Sequence, residues 1–373
     1  MIIIVAALLI LLIVLSVPKF IANSPQTTSS TSQTSTSTSK AVAGCIDASN
    51  EISGITCSWL ALQASLWKPA QNTSIGWSVV FPDASYDNIE TTPEQSLQSN
   101  LNMLLSSGAS CIRIDIGYDA WLSNNVTAQH ELENITSQIK SAGRCLVIAD
   151  ASAEYYRSHP LDWSQFQTAW VSRVKNLAEI FQPSFYLVIK EPGWYVPMVA
   201  GARTNSQFQN ATAWIQLEEN LANAVHSVSP STQVGVSIEG GIPASNQPFF
   251  VSFLKGVSQF NGTSFIGYDQ YGANDMLLDL SLESQVNTAK PIWIAEAWST
   301  ATPAVAENQD RASLDAYWIQ VMYYYAIYMH ASVVEPFFTD MFASYTVPPN
   351  FNMRTPVFYE FHYLATTYGT PIA

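Results

Sequence analysis

Glu191 and Glu296 are the residues whose type and placement could do chemistry. Each ends a short apolar run rich in β-branched and aromatic residues. One run reads Ser184-Phe185-Tyr186-Leu187-Val188-Ile189-Lys190-Glu191-Pro192, the other Pro291-Ile292-Trp293-Ile294-Ala295-Glu296-Ala297-Trp298. A short apolar run bounded by turn signals reads as a buried parallel strand. In a closed parallel barrel the C-terminal strand ends converge on one mouth, so carboxylates at two such ends can meet there. Paired carboxyl groups suit glycosidic-bond cleavage, in which one protonates the leaving oxygen and the other attacks or activates water.

The elements that must position the pair follow from periodicity. Apolar runs at 75–81, 111–116, 145–150, 184–190, 233–238, 264–269, 291–295 and 332–335 read as strands, and amphipathic stretches separate them. Thr92-Pro93-Glu94 and Leu161-Asp162-Trp163 carry helix-start signals, and Trp214, Leu217, Leu221, Ala224 and Val225 form a stripe at helical spacing. Eight strands alternating with helices predict an α/β fold, the (β/α)8 TIM barrel. The long connections, at 117–127, 151–161, 191–207, 297–309 and 337–355, all follow strands, whereas the turns before strands are tight. That asymmetry predicts an elaborated C-terminal mouth.

The barrel is expected to occupy 41–373, with 41–74 as an extension padding its bottom. Residues 1–23 are largely apolar and read as a signal peptide or N-terminal membrane anchor, and 24–40 form a Ser/Thr-rich linker. An extracellular or cell-surface domain, tethered to a membrane or wall, is the expectation. With 29 acidic and 15 basic residues the net charge is −14, which argues against nucleic acid as a partner. Only 12% of residues are charged, so a surface of neutral polar groups suggests service in an acidic medium. Cys45 and Cys57 could close a small disulfide loop. Cys111 and Cys145 open neighbouring strands at equivalent places, where free thiols are expected although a bridge is possible. No Cys/His spacing suggests a metal, and no cofactor is expected.

Carboxyl groups stand at the end of nearly every strand: Asp115, Asp150, Glu191, Glu239, Asp269, Glu296 and Glu335. Some are expected to cap helices or to pair with Arg113 and Lys190. As a set they point to a site, because an uncompensated ring of buried charge is costly. Aromatic residues in the loops after strands could form a floor for sugar rings, Trp121, Trp194, Trp298 and Phe337 among them.

Two of these motifs carry a family resemblance. Glu191-Pro192 after strand four and Ile294-Ala295-Glu296-Ala297-Trp298 after strand seven resemble the catalytic pair of the retaining glycoside hydrolases of clan A, which are (β/α)8 barrels. Arg113 in Ile112-Arg113-Ile114 resembles the arginine that contacts the nucleophile, and Tyr271 in Tyr268-Asp269-Gln270-Tyr271 resembles the tyrosine that hydrogen-bonds it. The resemblance spans about 75 to 368. It implies Glu296 as nucleophile and Glu191 as acid/base, with Arg113, Tyr271, Trp194, Trp298, Asp150, Glu239, Asp269, Trp121 and Phe337 around the substrate. It also implies a carbohydrate substrate, with an endo-acting β-glycanase on β-glucan or cellulose placed before mannan, xylan or galactan. A barrel that binds glycans without cleaving them, and a transglycosidase, are the rival readings.

The chain departs from the clan's pattern at three places. Lys190 stands where the clan usually has Asn, Ala149-Asp150-Ala151-Ser152 where many members have His, and Glu335-Pro336-Phe337-Phe338 where a Trp platform is usual. Adjacent strand residues point to opposite faces, so Lys190 is expected to face outward beside an inward Glu191.

Overall fold

The apolar runs form strands where periodicity places them. In the computed structural model these are β1 (Ile75–Val80), β2 (Cys111–Ile116), β3 (Cys145–Asp150), β4 (Phe185–Lys190), β5 (Gln233–Ile238), β6 (Thr263–Tyr271), β7 (Ile292–Trp298) and β8 (Ala331–Pro336). Each pairs in parallel with the next, and β8 and β2 both pair with β1, which closes the (β/α)8 barrel. A two-residue β9 (Gly369–Thr370) adds to the lower end of β1. The structure describes residues 45–47, 54–81, 89, 91–116, 126–150, 162–192, 206–242, 245–300, 309–345 and 349–372. These belong to one unit, Ser39–Ala373. The segments 1–23 and 24–40, and with them Trp121 and Trp194, lie outside the described residues. No described helix is long and apolar enough to cross a membrane.

The helices are α1 (Cys57–Trp67), α2 (Glu94–Ser106), α3 (Val126–Ser141), α4 (Trp163–Phe181), α5 (Ala211–Val228), α6 (Gln247–Gln259), α7 (Ala273–Val286), α8 (Ala312–Tyr328) and α9 (Pro356–Tyr368). Asp162 starts α4 with a capping box: its side chain accepts from the Gln165 amide, and the Gln165 side chain reaches back to the Asp162 N–H. The apolar stripe of α5 buries Trp214, Leu217, Leu221 and Val225. Trp214 meets Trp163 of α4 at 5.5 Å, seating this helix pair outside β4.

Inside the barrel the lower layers are apolar. Trp293 stacks on Phe265 at 4.1 Å and lies 4.9 Å from Phe185, with Val147, Leu187, Ala295 and Val333 in the same cluster. Gly267 is forced by this packing, since a Cβ there would come within 2.7 Å of Ala295 and 2.9 Å of Ser237. Above this layer the interior turns polar.

Two expectations are corrected. The helix of the 41–74 extension lies against the outer helices and not under the barrel, since Trp67 of α1 packs on Tyr325 of α8 at 4.9 Å, and of its described residues only Ser74 at its end borders the bottom. The bottom is covered instead by the C-terminal segment, where Ile372 joins the interior cluster beneath β1. Cys111 and Cys145 are bridged rather than free, because the parallel register makes them direct neighbours with Cα atoms 4.4 Å apart. Cys45 and Cys57 are also bridged, at a Cα separation of 5.9 Å.

Candidate active site

The polar upper layer is built on Arg113. Strand alternation points Cys111, Arg113 and Asp115 of β2 inward together. Arg113 is fully buried, and every N–H of its guanidinium has an acceptor. Nε and Nη2 form a fork on the Asp115 carboxylate, with Nη2 to Oδ2 at 2.8 Å. Nη1 donates to the Ala295 carbonyl at 2.7 Å and to Glu335 at 2.9 Å, while Nη2 also reaches Glu296 Oε1 at 2.6 Å. A planar, permanently charged fork of donors can do this, whereas a lysine could not.

Glu296 reaches this cluster through an irregularity. Ala295 faces the apolar interior, so plain alternation would send Glu296 outward to the helices. The register shifts there instead, with Tyr268 opposite Ile294 but Asp269 opposite Glu296. The extra residue in β7 brings both Ala295 and Glu296 inside, as a β-bulge does. Glu296 then meets Arg113, the Lys190 ammonium at 2.5 Å, and the hydroxyl of Tyr271, which donates to its Oε2.

A second register shift, between Leu187 and Ile189 of β4, overturns the outward expectation for Lys190. Phe185 and Leu187 line the interior, so alternation alone would put Ile189 and Glu191 inside and Lys190 outside. The bulge at Val188, whose carbonyl accepts from Trp170 Nε1 at 2.9 Å, reverses the faces. Lys190 therefore enters the mouth, 3.1 Å from Asp115 and beneath the Phe337 ring, whose centroid lies 5.3 Å away. Glu191 follows with φ at +52°, a left-handed conformation that a non-glycine residue adopts only at a cost of about 1–3 kcal/mol. That backbone turn brings the Glu191 carboxyl back toward the same cluster. One oxygen from each of Glu191, Asp269 and Glu296 lies within 4.8 Å of the others.

Asp269 comes from the end of β6, is fully buried, and receives the Ser237 hydroxyl at 3.3 Å. Gly240, just past β5, must be glycine here, because a Cβ would fall 2.1 Å from the Asp269 carbonyl oxygen. Glu335 accepts from Ser78 Oγ at 2.5 Å as well as from Arg113.

The carboxyl groups titrate in opposite directions. Burial pushes Asp115 up, but Arg113 and Lys190 outweigh it and hold Asp115 below its usual range. Burial, and then the Glu296 charge, raise Glu191 to about 7. Glu335 is also raised to about 7 by burial, despite Arg113 and Ser78. Asp269 is pushed well above the ordinary carboxyl range by burial and by Glu296 and Glu191. The arrangement sets a carboxyl that keeps its proton near neutrality next to a carboxylate flanked by two cations, which is the division of labour an acid and a nucleophile need.

Other candidate residues are placed differently. Asp150 faces the helices, because it alternates with the inward Val147 and Ala149. Its carboxylate pairs with Arg173 of α4 at 3.0 Å, so it is an ion-pair partner and not part of the mouth. Trp298 is fully buried against Trp318 at 5.6 Å and Phe338 at 6.2 Å, so it offers no face to a ligand. Phe337 remains half-buried over the cluster, edge-on to Tyr271 at 5.9 Å. Glu239 is half-buried past β5, and its charge adds to burial and to Asp275 in raising Asp279 of α7.

The same titrations bear on stability. Glu191, Glu335 and Glu218 of α5, whose carboxyl accepts from Thr263 at 2.7 Å, are each raised by burial from 4.5 to about 7. Between those values the folded state binds protons that the unfolded state has lost. The stabilisation is therefore complete below about pH 4.5 and gone above about pH 7. Thermal melting followed by circular dichroism should show Tm falling by about 5 °C or more across that interval. A Tm that is flat or rises there would contradict these burials.

Comparison with solved structures places the barrel on a known architecture. A family 1 β-glucosidase from Thermotoga maritima superposes with a TM-score of 0.53 at 11% identity, covering 80% of this chain and 98% of that one. A β-glycosidase superposes with a TM-score of 0.51 at 12% identity, covering 73% and 86%. At such identity the likeness is one of fold. No protein-family model matches the sequence, and no curated protein matches it.

Proposed function

We propose that the chain is a retaining glycoside hydrolase, with Glu296 as nucleophile and Glu191 as acid/base. The observation that carries this reading is the approach of the Glu191 and Glu296 oxygens to within 4.8 Å. Retaining pairs stand about 5–5.5 Å apart, whereas inverting pairs stand about 6.5–9.5 Å apart to admit a water. In the first step a Glu296 oxygen bonds to the anomeric carbon and the bond to the leaving oxygen breaks, that oxygen taking the Glu191 proton. In the second step water attacks the same carbon, gives its proton to Glu191, and releases Glu296. When Glu296 loses its charge in the covalent intermediate, Arg113 and Lys190 keep Asp115 as a partner, so neither cation is stranded.

The substrate proposed is a β-linked glycan, cleaved internally, with β-glucan or cellulose first. The β-glucosidase and β-glycosidase names of the structural neighbours and the half-buried Phe337 above the carboxyls support that order. Secretion and an N-terminal tether are proposed from segments 1–23 and 24–40.

One observation favours a second reading. The Lys190 ammonium against Glu296 could hold the nucleophile idle in a barrel that only binds glycans. Reducing-sugar release from a β-glycan panel at pH 4–8, beside Glu191→Gln, separates the two. The hydrolase predicts release on at least one polymer, declining as pH rises through about 7 because Glu191 must carry its proton. It also predicts a loss of about 100-fold or more in Glu191→Gln. Glycan binding by the folded protein with no release from any polymer would establish the binding-only barrel instead.

A further inference from the structure

We propose that Asp269 is a positioning residue that holds a proton in contact with Glu191 and steadies it as its own proton leaves and returns. The inference rests on the acid/base role given to Glu191 above. β6 delivers Asp269 directly opposite Glu296 in the sheet register, into a space it shares with Glu191. The side chain is fully buried. Its Oδ2 has the Ser237 hydroxyl, but among the described residues no N–H or hydroxyl donor reaches Oδ1. The two cations nearby are committed elsewhere: Arg113 to Asp115, Glu296 and Glu335, and Lys190 to Asp115 and Glu296. A carboxyl oxygen left without a donor beside two other carboxyls is tolerable only if a proton lies between them. Burial, and then the Glu296 and Glu191 charges, push Asp269 in that direction and outweigh the opposing charges of Lys190 and Arg113.

The proton accounting closes over one turnover. Glu191 gives its proton to the leaving oxygen, and the Asp269 O–H then donates to the new Glu191 carboxylate. Water later returns a proton to Glu191, and the Asp269 proton is never consumed. The groups that set this exchange are Arg113 and Asp115 from β2, Lys190 from β4 and Glu191 just past it, Tyr271 from β6, and Glu296 from β7.

Two variants and two readouts test the assignment. Asn keeps the shape and an N–H donor, so Asp269→Asn should retain kcat/KM within about threefold, with an unmoved pH profile. Ala removes the donor, so Asp269→Ala should lose about 30-fold and move the alkaline limb to higher pH. Removal of a buried carboxyl should not lower Tm in either variant. Independently of turnover, the infrared C=O stretch of a protonated carboxyl should be present at neutral pH and diminish in Asp269→Asn. Equal losses in the two variants, an Asp269→Ala profile superimposable on the wild type, or no infrared difference would each overturn the assignment. If the wild type cleaves no glycan but the infrared difference is present, the shared proton stands and the hydrolase reading falls.

Discussion

Glu296→Gln is expected to reduce glycan cleavage by at least about a thousandfold while the fold stays intact. The amide has the shape of the carboxylate, and its oxygen can still accept from Arg113 or Lys190, now 2.6 and 2.5 Å from Glu296 Oε1. What is lost is the charge and nucleophilicity needed to form a bond to the anomeric carbon. The amide NH2 then takes the place of Oε2 and donates to the Tyr271 hydroxyl oxygen, so the mouth need not rearrange. The check is turnover on the best polymer together with a melting curve. Added azide should partly restore bond cleavage in this variant by taking the nucleophile's place, giving a glycosyl azide of inverted configuration. In Glu191→Gln azide would enter from the other side, so product stereochemistry assigns the two roles. Wild-type turnover in Glu296→Gln would remove this residue from the chemistry.

The largest effect on stability is expected from Arg113→Met. The guanidinium is the common partner of Asp115, Glu296 and Glu335, and it donates to the Ala295 carbonyl in the bulge of β7. Met follows the arginine chain as far as Nε, so it keeps the apolar packing of the stem while removing the charge and the donors of the guanidinium. Breaking one partner out of a buried ionic cluster costs about 3–5 kcal/mol, because the remaining charges have no solvent to turn to. For a barrel of this size that corresponds to a Tm about 10 °C lower near neutrality. The loss should shrink in acid. Asp115 is held below its usual range by Arg113 and Lys190, so without Arg113 it takes up a proton at higher pH, as does Glu335. Melting at pH 4 and pH 7 measures this directly, and a Tm deficit equal at both would show that packing rather than charge sets the cost. Activity should fall as well, since among the described residues Glu296 then has only Lys190 and Tyr271 to hold it.

The barrel and most of its mouth were legible in the sequence because they depend on periodicity alone. Runs such as 111–116 and 145–150 have the length and apolarity of strands buried on both faces, and closure of eight of them follows from topology. The inward face of β2 could be read in the same way, since Arg113 and Asp115 are two residues apart on one strand. Residue identity and strand number also marked Glu191, Glu296, Tyr271 and Asp269 as mouth residues.

What the sequence left open is where alternation breaks. The bulges at Val188 and Ala295 each add one residue to a strand, and an added residue exchanges the faces of everything beyond it. Nothing in Leu187-Val188-Ile189 announces that shift, because all three are apolar and fit either face. Plain alternation therefore points Lys190 outward, and only the paired register of β4 with β5 brings it to Glu296. The same limit applies to Asp150, whose partner Arg173 belongs to a helix packed on the outer face, and to Trp298, whose burial depends on Trp318 and Phe338. The amino-acid sequence by itself determined the strands, the order in which they close, and the residue types that reach the mouth, since these rest on local period and composition. The tertiary structure alone decided which carboxyls stand together, which are clamped by cations, and which face away, since those outcomes depend on distances between strands that no local pattern encodes.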